Sequence, residues 1–422
     1  MIKNYNLISI KYNYLFQKKN NFNKIRLGIF TNSLKNGGTE RQTSLLLNYF
    51  NKIKIFELFL FTKKEKEKNE YIIDENIPRF IIKKNFTEIL IRQNINILIY
   101  QTYNINDIKE LNKLKNIKTI FINRSCFLHW IYYKSYSFYK IVYKAYKNSK
   151  YIISLIKFEN DYLFKKWGIN SILMNNFIPF DYNSIIPSDL SSKTILMIGR
   201  GSDKIKRFNL GIKSMKYIIN EIPECKMKII SELSGIIDLK NLIKNLNLQN
   251  NIKFVGYKSN PQIYYKNASL HIFPTLVEAF PNVLSETLVY GIPNILIGLD
   301  YISASKGGTI IIYEDSPISL AKIAIKILSN WRYRKYLGKE ARKNIKKFNN
   351  QMLLNKWIKL ILSVYKGEKY YEKLRNKEKK LKEEDALKII ENQIKLLKLR
   401  EKKFENISIN DIENFTFMEN LK

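Results

Sequence analysis

The chain has 422 residues, 45% hydrophobic and 13% aromatic, enough apolar material for two or three cores and too much for wholesale disorder. Nine Pro and fifteen Gly exclude a collagen-like or linker-dominated architecture, and no apolar run reaches the roughly 20 residues a membrane-spanning helix needs. The net charge of +36 points towards polyanions, but the excess is spread over both halves and accompanies Ile, Asn, Lys and Tyr throughout, so it reads as overall composition rather than a nucleic-acid-binding face.

In chain order, residues 1–23 lack the apolar centre and small-residue cleavage site of a secretory signal and read as a polar extension. Two cysteines, Cys126 and Cys225, make neither a disulfide framework nor a zinc site, which fits a reducing cytoplasm. Short apolar runs then alternate with longer amphipathic ones, the pattern of a parallel sheet flanked by helices. Strands are expected at 25–31, 55–61, 95–101, 117–123, 151–156 and 171–176, with helical segments at 40–50 and 130–148. After a polar stretch containing Pro179, Pro187 and Ser191-Ser192-Lys193, the alternation restarts with strands at 194–199, 226–231, 251–256, 269–274, 294–298 and 309–313.

The fold class is therefore α/β, with two doubly wound Rossmann-like domains at 24–185 and 190–348 and ligands expected at the carboxyl ends of the strands, in a crevice. An amphipathic helix over 349–366 is expected to return to the first domain. Residues 367–422 read as a charged helical tail with Ile389, Ile390, Ile394, Leu397 and Leu399 as a partial apolar seam, either an appended helix or short coiled coil, or a solvated segment packed loosely on the body.

Three segments carry chemistry. In the first, Pro281 suits a helix start and Gly291 with Ile292-Pro293 a helix stop, so a short helix is expected at about 281–290, with Glu278 in the loop before it and Glu286 inside it. Backbone N–H groups at that helix start suit a phosphate, and the two carboxylates can accept hydrogen bonds from hydroxyls of a bound polyol. In the second, Ile198-Gly199-Arg200 ends a strand and Lys206-Arg207 opens the next helix, so Arg200 and Lys206, with Lys204 as a substitute for the latter, can neutralise a diphosphate. In the third, Asn36-Gly37-Gly38-Thr39-Glu40-Arg41 links the first strand to a helix, and its glycines let a ligand approach the backbone.

Taken together, Glu278 to Pro293 resembles the Glu-x7-Glu motif of retaining glycosyltransferases of the GT-B fold, in particular glycosyltransferase family 4. The resemblance covers about residues 24–365 and is most specific between 194 and 300. It implies a nucleotide diphosphate sugar as donor, a UDP-sugar first among them, retention at the anomeric carbon, no cofactor and no required metal. It gives Arg200 and Lys206 the diphosphate, Glu278 the donor-sugar hydroxyls and Glu286 the ribose. Gly37, Gly38, Gly199 and the backbone of Ala279, Phe280, Pro281, Asn282 and Val283 would line the donor. The absence of any Asp-x-Asp in the chain agrees with a site that holds no metal.

Members of that family place a His near the reacting sugar, and the candidate here is His129, after the strand at 117–123. Arg124, at the same strand end, is an alternative contact for an acidic acceptor, whereas His271 in an apolar strand reads as core. The acceptor implied is a glycan or lipid-linked precursor of cell-surface polysaccharide. Trp130 to Lys147, where aromatics interleave with Lys134, Lys140, Lys144 and Lys147, is expected either to lie on an anionic membrane surface, making the protein cytoplasmic and peripheral, or to pack its rings on the sheet. Two other readings stand beside this one: a polyanion-binding protein, and a catalytically silent relative whose tail recruits a partner.

Overall fold

The computed structural model of the protein describes residues 24–414 except 83–85, 102–104, 112–113, 115, 130–142, 144–145, 148, 259 and 378–379. The extension 1–23 and the residues Trp130, Lys134, Lys140 and Lys144 lie outside the described residues.

The chain divides into two compact units: residues up to Phe177 with Asn350–Leu381, and Ile178–Asn349 with residues from Lys382 onwards. Among the described residues the first contains seven strands, β1 (Ile25–Thr31), β2 (Phe56–Thr62), β3 (Arg79–Ile81), β4 (Ile97–Tyr100), β5 (Lys118–Asn123), β6 (Tyr151–Ser154) and β7 (Ser171–Leu173). Among its own described residues the second contains six, β8 (Thr194–Ile198), β9 (Lys226–Ile230), β10 (Ile252–Phe254), β11 (Leu270–Phe273), β12 (Asn294–Ile297) and β13 (Thr309–Ile312). Every paired strand is parallel, in the orders β3-β2-β1-β4-β5-β6-β7 and β10-β9-β8-β11-β12-β13. Runs such as Leu-His-Ile-Phe of β11 are buried along their whole length because helices cover both faces of a parallel sheet.

In both sheets the order reverses beside the first strand. The chain builds outward from β1 or β8 to one edge, then returns to place β4 or β11 on the other side. Adjacent loops diverge there, which makes these two points the natural ligand positions of a doubly wound sheet.

Five helices matter below: α1 (Gly38–Asn51), α2 (Phe208–Glu221), α3 (Asn282–Val289), α4 (Asn350–Lys366) and α5 (Glu383–Arg400). α4 returns to the first unit, where Leu354, Trp357, Ile358, Ile361 and Val364 join the core built on β1, β4 and β5. The Trp357 ring meets Phe50 of α1 edge-on at 5.8 Å between centroids.

Helix α5 belongs to the second unit. Its first turn holds Glu383, Glu384 and Asp385 and its last turn Lys398 and Arg400, charges that oppose the helix dipole at both ends. Ala386, Ile390, Ile394 and Leu397, spaced at four, four and three, are buried together with Gln393 and Leu396. The tail is thus a packed element and not a solvated segment; Leu399, expected in its seam, is 62% exposed, because it faces away from the stripe set by Ala386. Among the described residues no helix is long and apolar enough to cross a membrane.

Candidate functional site

β8 and β11 are neighbours, with Ile195 opposite Leu270 and Leu196 opposite His271, so the loops leaving their carboxyl ends start side by side. The first loop begins at Gly199, whose φ of +156° suits glycine. It continues through Arg200 to a 3-10 turn over Lys204–Lys206, capped by the Asp203 carboxylate, which accepts from the Ile205 N–H at 3.1 Å. The second loop runs from Pro274 to Pro281. The two are stitched by the Leu276 N–H donating to the Ile205 carbonyl at 2.9 Å.

That stitch brings Lys206 to Glu278. The Lys206 ammonium forms an ion pair with the Glu278 carboxylate, with the two side chains 19% and 17% exposed. The ammonium also lies 5.8 Å from the centroid of the Phe273 ring. The Glu278 N–H donates to the Tyr301 hydroxyl at 3.3 Å, which fixes the backbone that carries the carboxylate. A ligand presenting an anion and a polyol side by side can engage both members, the ammonium through charge and the carboxylate through hydroxyl donors.

Arg200 is not part of the pair. Its side chain is 66% exposed and, among the described residues, meets Asp203 at 3.5 Å, a distance at the limit of a contact. Arg207, the residue after Lys206, is held far more firmly although sequence reasoning passed over it. It sits at φ +46°, donates through Nε to the Pro274 carbonyl at 2.8 Å, and grips both Asp315 oxygens at 2.5 and 2.6 Å.

Glu286 lies inward. It is 1% exposed and accepts from the Tyr265 hydroxyl at 2.5 Å. Burial, with the Glu286 charge second, pushes the neighbouring Tyr290 hydroxyl up to about 12. α3 starts at Asn282, with Pro281 extended before it at φ −70° and ψ 129°, one residue later than the sequence suggested. Gly291 closes the helix at φ +69°, as an αL stop. Ala279 and Phe280 are buried and the Phe280 ring packs on Phe348 at 5.4 Å, so this loop can offer backbone rather than side chains; Asn282 and Val283 are half-buried.

In the first unit, Asn36 at φ +44° turns the chain after β1, Gly37 is extended and Gly38 opens α1. A Cβ on Gly37 would lie 2.0 Å from the Glu40 carboxylate, so a side chain there would require that acid to move aside. His129 is half-buried at the end of a short turn after β5, its N–H donating to the Cys126 carbonyl at 3.0 Å. Arg124 donates to Gln101 Oε1 at 2.9 Å and to the Asn176 side-chain oxygen, contacts that fasten strand ends.

Beneath the His129 turn lies Glu159, fully buried, accepting from the Phe127 N–H at 2.6 Å; burial pushes its carboxyl up to about 8 against that hydrogen bond. Nothing local in the sequence marks it. His271 is buried in β11 with Nδ1 2.7 Å from Asn294 Oδ1, and burial drives it down to about 4, a neutral core histidine. Among the described residues no cluster of three His, Cys, Asp or Glu could hold a metal.

Residues 182–344 match the family model for glycosyl transferases group 1. A Campylobacter jejuni protein, N-acetylgalactosamine-N,N'-diacetylbacillosaminyl-diphospho-undecaprenol 4-alpha-N-acetylgalactosaminyltransferase, is 34% identical over 101 residues, 24% of this chain and 26% of that protein. Across the first curated relatives the matched segments span only 25% to 40% of the relatives' own length. Among solved structures, sucrose-phosphate synthase from Thermosynechococcus elongatus superposes with a TM-score of 0.70 at 14% identity, over 81% of this chain and 99% of that one. HepE from Anabaena, solved with UDP and glucose, superposes with a TM-score of 0.65 at 14% identity, over 80% of this chain and 99% of that one. The fold is that of the GT-B class, two doubly wound parallel-sheet domains with a helical C-terminal extension.

Proposed function

We propose that this chain, whose residues 182–344 carry a glycosyl transferases group 1 domain, moves a sugar from a nucleoside diphosphate sugar to a glycan or lipid-linked acceptor. The observation that carries this reading is the Lys206–Glu278 pair at the β8/β11 reversal, where a fixed cation and a fixed hydrogen-bond acceptor stand together at the ligand position of the sheet.

Each side chain then has a task. Lys206 neutralises the charge that grows on the diphosphate as the glycosidic bond breaks, and the exposed Arg200 can swing to the same oxygens. Glu278 accepts from donor-sugar hydroxyls. Glu286, oriented by Tyr265, accepts from a ribose hydroxyl at the opposite end of the diphosphate. The backbone of Ala279 to Val283, together with Gly199, allows phosphate and sugar to approach closely. With lysine and arginine supplying the positive charge, the reaction needs no metal. We assign the acceptor to the first unit, where His129 stands in the turn after β5.

A UDP-sugar donor is supported by the likeness to HepE, which was solved with UDP and glucose. A lipid-linked acceptor is supported by the name of the Campylobacter relative. Retention of configuration follows from the Glu-x7-Glu resemblance, and the anomeric coupling in the product's NMR spectrum tests it. We place the reaction in the cytoplasm at an anionic membrane surface, a reading that rests on the aromatics and lysines interleaved in the sequence between Trp130 and Lys147 and that vesicle flotation tests.

The decisive experiment is thermal unfolding with UDP, GDP, ADP and their sugars, with and without EDTA, at low and high salt. A rise with one base that survives EDTA and salt supports the reading, and turnover of the matching sugar completes it. Equal shifts with every polyanion, lost in salt, would favour polyanion binding, and nucleotide binding without turnover would favour a silent relative.

A further inference from the structure

Helix α5 lies outside the segment that matches the family model, yet its polar side chains reach towards the Lys206–Glu278 pair from two directions. Arg400, in its last turn, donates through Nε to Asp315 Oδ2 at 2.7 Å. Asp315 follows β13, and its two oxygens also hold Arg207, which donates to the carbonyl of Pro274. The side chains of Arg400, Asp315 and Arg207 are only 7%, 12% and 15% exposed.

The second route starts higher in the helix. Gln393 donates to the Gly298 carbonyl at 2.6 Å and to Asp300 at 3.1 Å, and Asn392 donates to the other Asp300 oxygen at 2.9 Å, beside the Tyr313 hydroxyl. Leu396 packs onto Gly298, where a Cβ would stand 2.0 Å from its Cδ1. The loop so clamped carries Tyr301, whose hydroxyl accepts from the Glu278 N–H.

We propose that α5 is a positioning element of the donor site: through Arg400–Asp315–Arg207 it sets Lys206, and through Gln393–Asp300 and Tyr301 it sets Glu278. The inference rests on the reading of that pair as the donor site.

Two features separate this from mere packing. The apolar seam of α5 already buries Ala386, Ile390, Ile394 and Leu397, so attachment does not require the polar arms. Both arms, moreover, land on segments that leave the carboxyl ends of β12 and β13, and each continues to one member of the pair. Arg207 is a non-glycine residue at φ +46°, a conformation that persists only when its surroundings over-determine it, and the Asp315 and Pro274 contacts are what hold it. Loosening Arg400 frees Asp315 to follow Arg207, and Lys206 with it.

The test uses the full chain with Arg400→Gln, Arg400→Lys and Gln393→Ala. Hydrogen exchange without substrate is measured on peptides covering 203–210 and 272–282, alongside melting temperature, UDP affinity, kcat and KM. Arg400→Gln should speed exchange in both peptides while strands of the first unit keep their protection. It should lower kcat for donor about tenfold or more at a temperature where the variant stays folded, with Arg400→Lys recovering part of the loss. Gln393→Ala should loosen mainly 272–282, and it keeps the proposal testable if Arg400→Gln does not fold. Unchanged exchange in both peptides, or a rate loss that follows the melting temperature and is not recovered by lysine, overturns it. If wild type binds no nucleoside diphosphate while the variants still loosen the two peptides, the donor reading falls and the brace stands.

Discussion

The Lys206 ammonium and the Glu278 carboxylate, 72 positions apart, meet in an ion pair because β8 and β11 are adjacent parallel strands whose outgoing loops are stitched at Leu276 and Ile205. Cation and acceptor are thereby held at one point before any ligand arrives at it, which spares the ordering cost of bringing them there.

The pair predicts opposite effects on nucleotide affinity from its two halves. Lys206→Ala should weaken UDP binding by about tenfold or more, since a charge-assisted hydrogen bond contributes roughly 1.5–3 kcal/mol. Glu278→Gln should leave UDP affinity unchanged or stronger, because the ammonium loses its competitor, yet reduce transfer by about a hundredfold or more. Calorimetry with UDP and initial rates with the matching sugar separate the two.

Asp315 makes acid stability a property of the second unit. Burial opposes its ionisation, but the flanking Arg207 and Arg400 outweigh that and hold it below the ordinary aspartate range. A lowered carboxylate contributes stability that is complete above the unfolded value, near 3.8, and is lost as pH falls through the still lower folded value. Asp315→Asn should remove that acid-side slope and cost about 3–5 kcal/mol at neutral pH by leaving two guanidinia without their counter-ion. Urea unfolding between pH 3 and 7 reads both effects.

Glu159 works in the other direction. Its carboxyl, raised to about 8 by burial, stays protonated in the folded chain over a range where the unfolded chain has already ionised. Stability of the first unit should therefore fall as pH rises from about 4.5 to about 8, by up to ~1.4 kcal/mol per pH unit. Glu159→Gln keeps an oxygen for the Phe127 N–H and should flatten that slope, with greater stability at pH 8 than wild type.

Gly298 tests the attachment of α5. At φ +65°, with Leu396 against it, Gly298→Ala meets both a backbone penalty and a clash, and should cost about 1–3 kcal/mol. Limited proteolysis should then cut within 383–400 faster than in wild type. Leu396→Ala in the same chain relieves only the clash, so rescue should be partial.

Much of this was readable because it is local. The apolar runs of β1, β8 and β11 announce buried parallel strands, and Pro281 with Gly291 brackets α3 to within a residue. The edge strand β3 was not foreseen: Arg79-Phe80-Ile81 is three residues long, follows a proline and shows no alternation, and it exists because Leu60 to Thr62 offer it a partner. The ion triad was also invisible, since Arg207 and Asp315 are 108 positions apart and Asp315 and Arg400 are 85 apart. On a chain of charge +36, one more arginine carries no signal until its carboxylate is seen. Glu286 was placed on the right helix, but its burial against Tyr265 depends on packing that spacing does not encode.

The two units are interleaved along the chain. The first is completed by Asn350–Leu381, made after the whole body of the second, and the second is completed by α5, made after that. During synthesis the first sheet therefore waits for Trp357 and Ile361, and Gly298 and Asp315 wait for Leu396 and Arg400, until nearly the entire sequence has emerged. A fragment cut at 349 would strand both units unfinished. Excising the family-matching segment alone should yield a protein that collapses but aggregates.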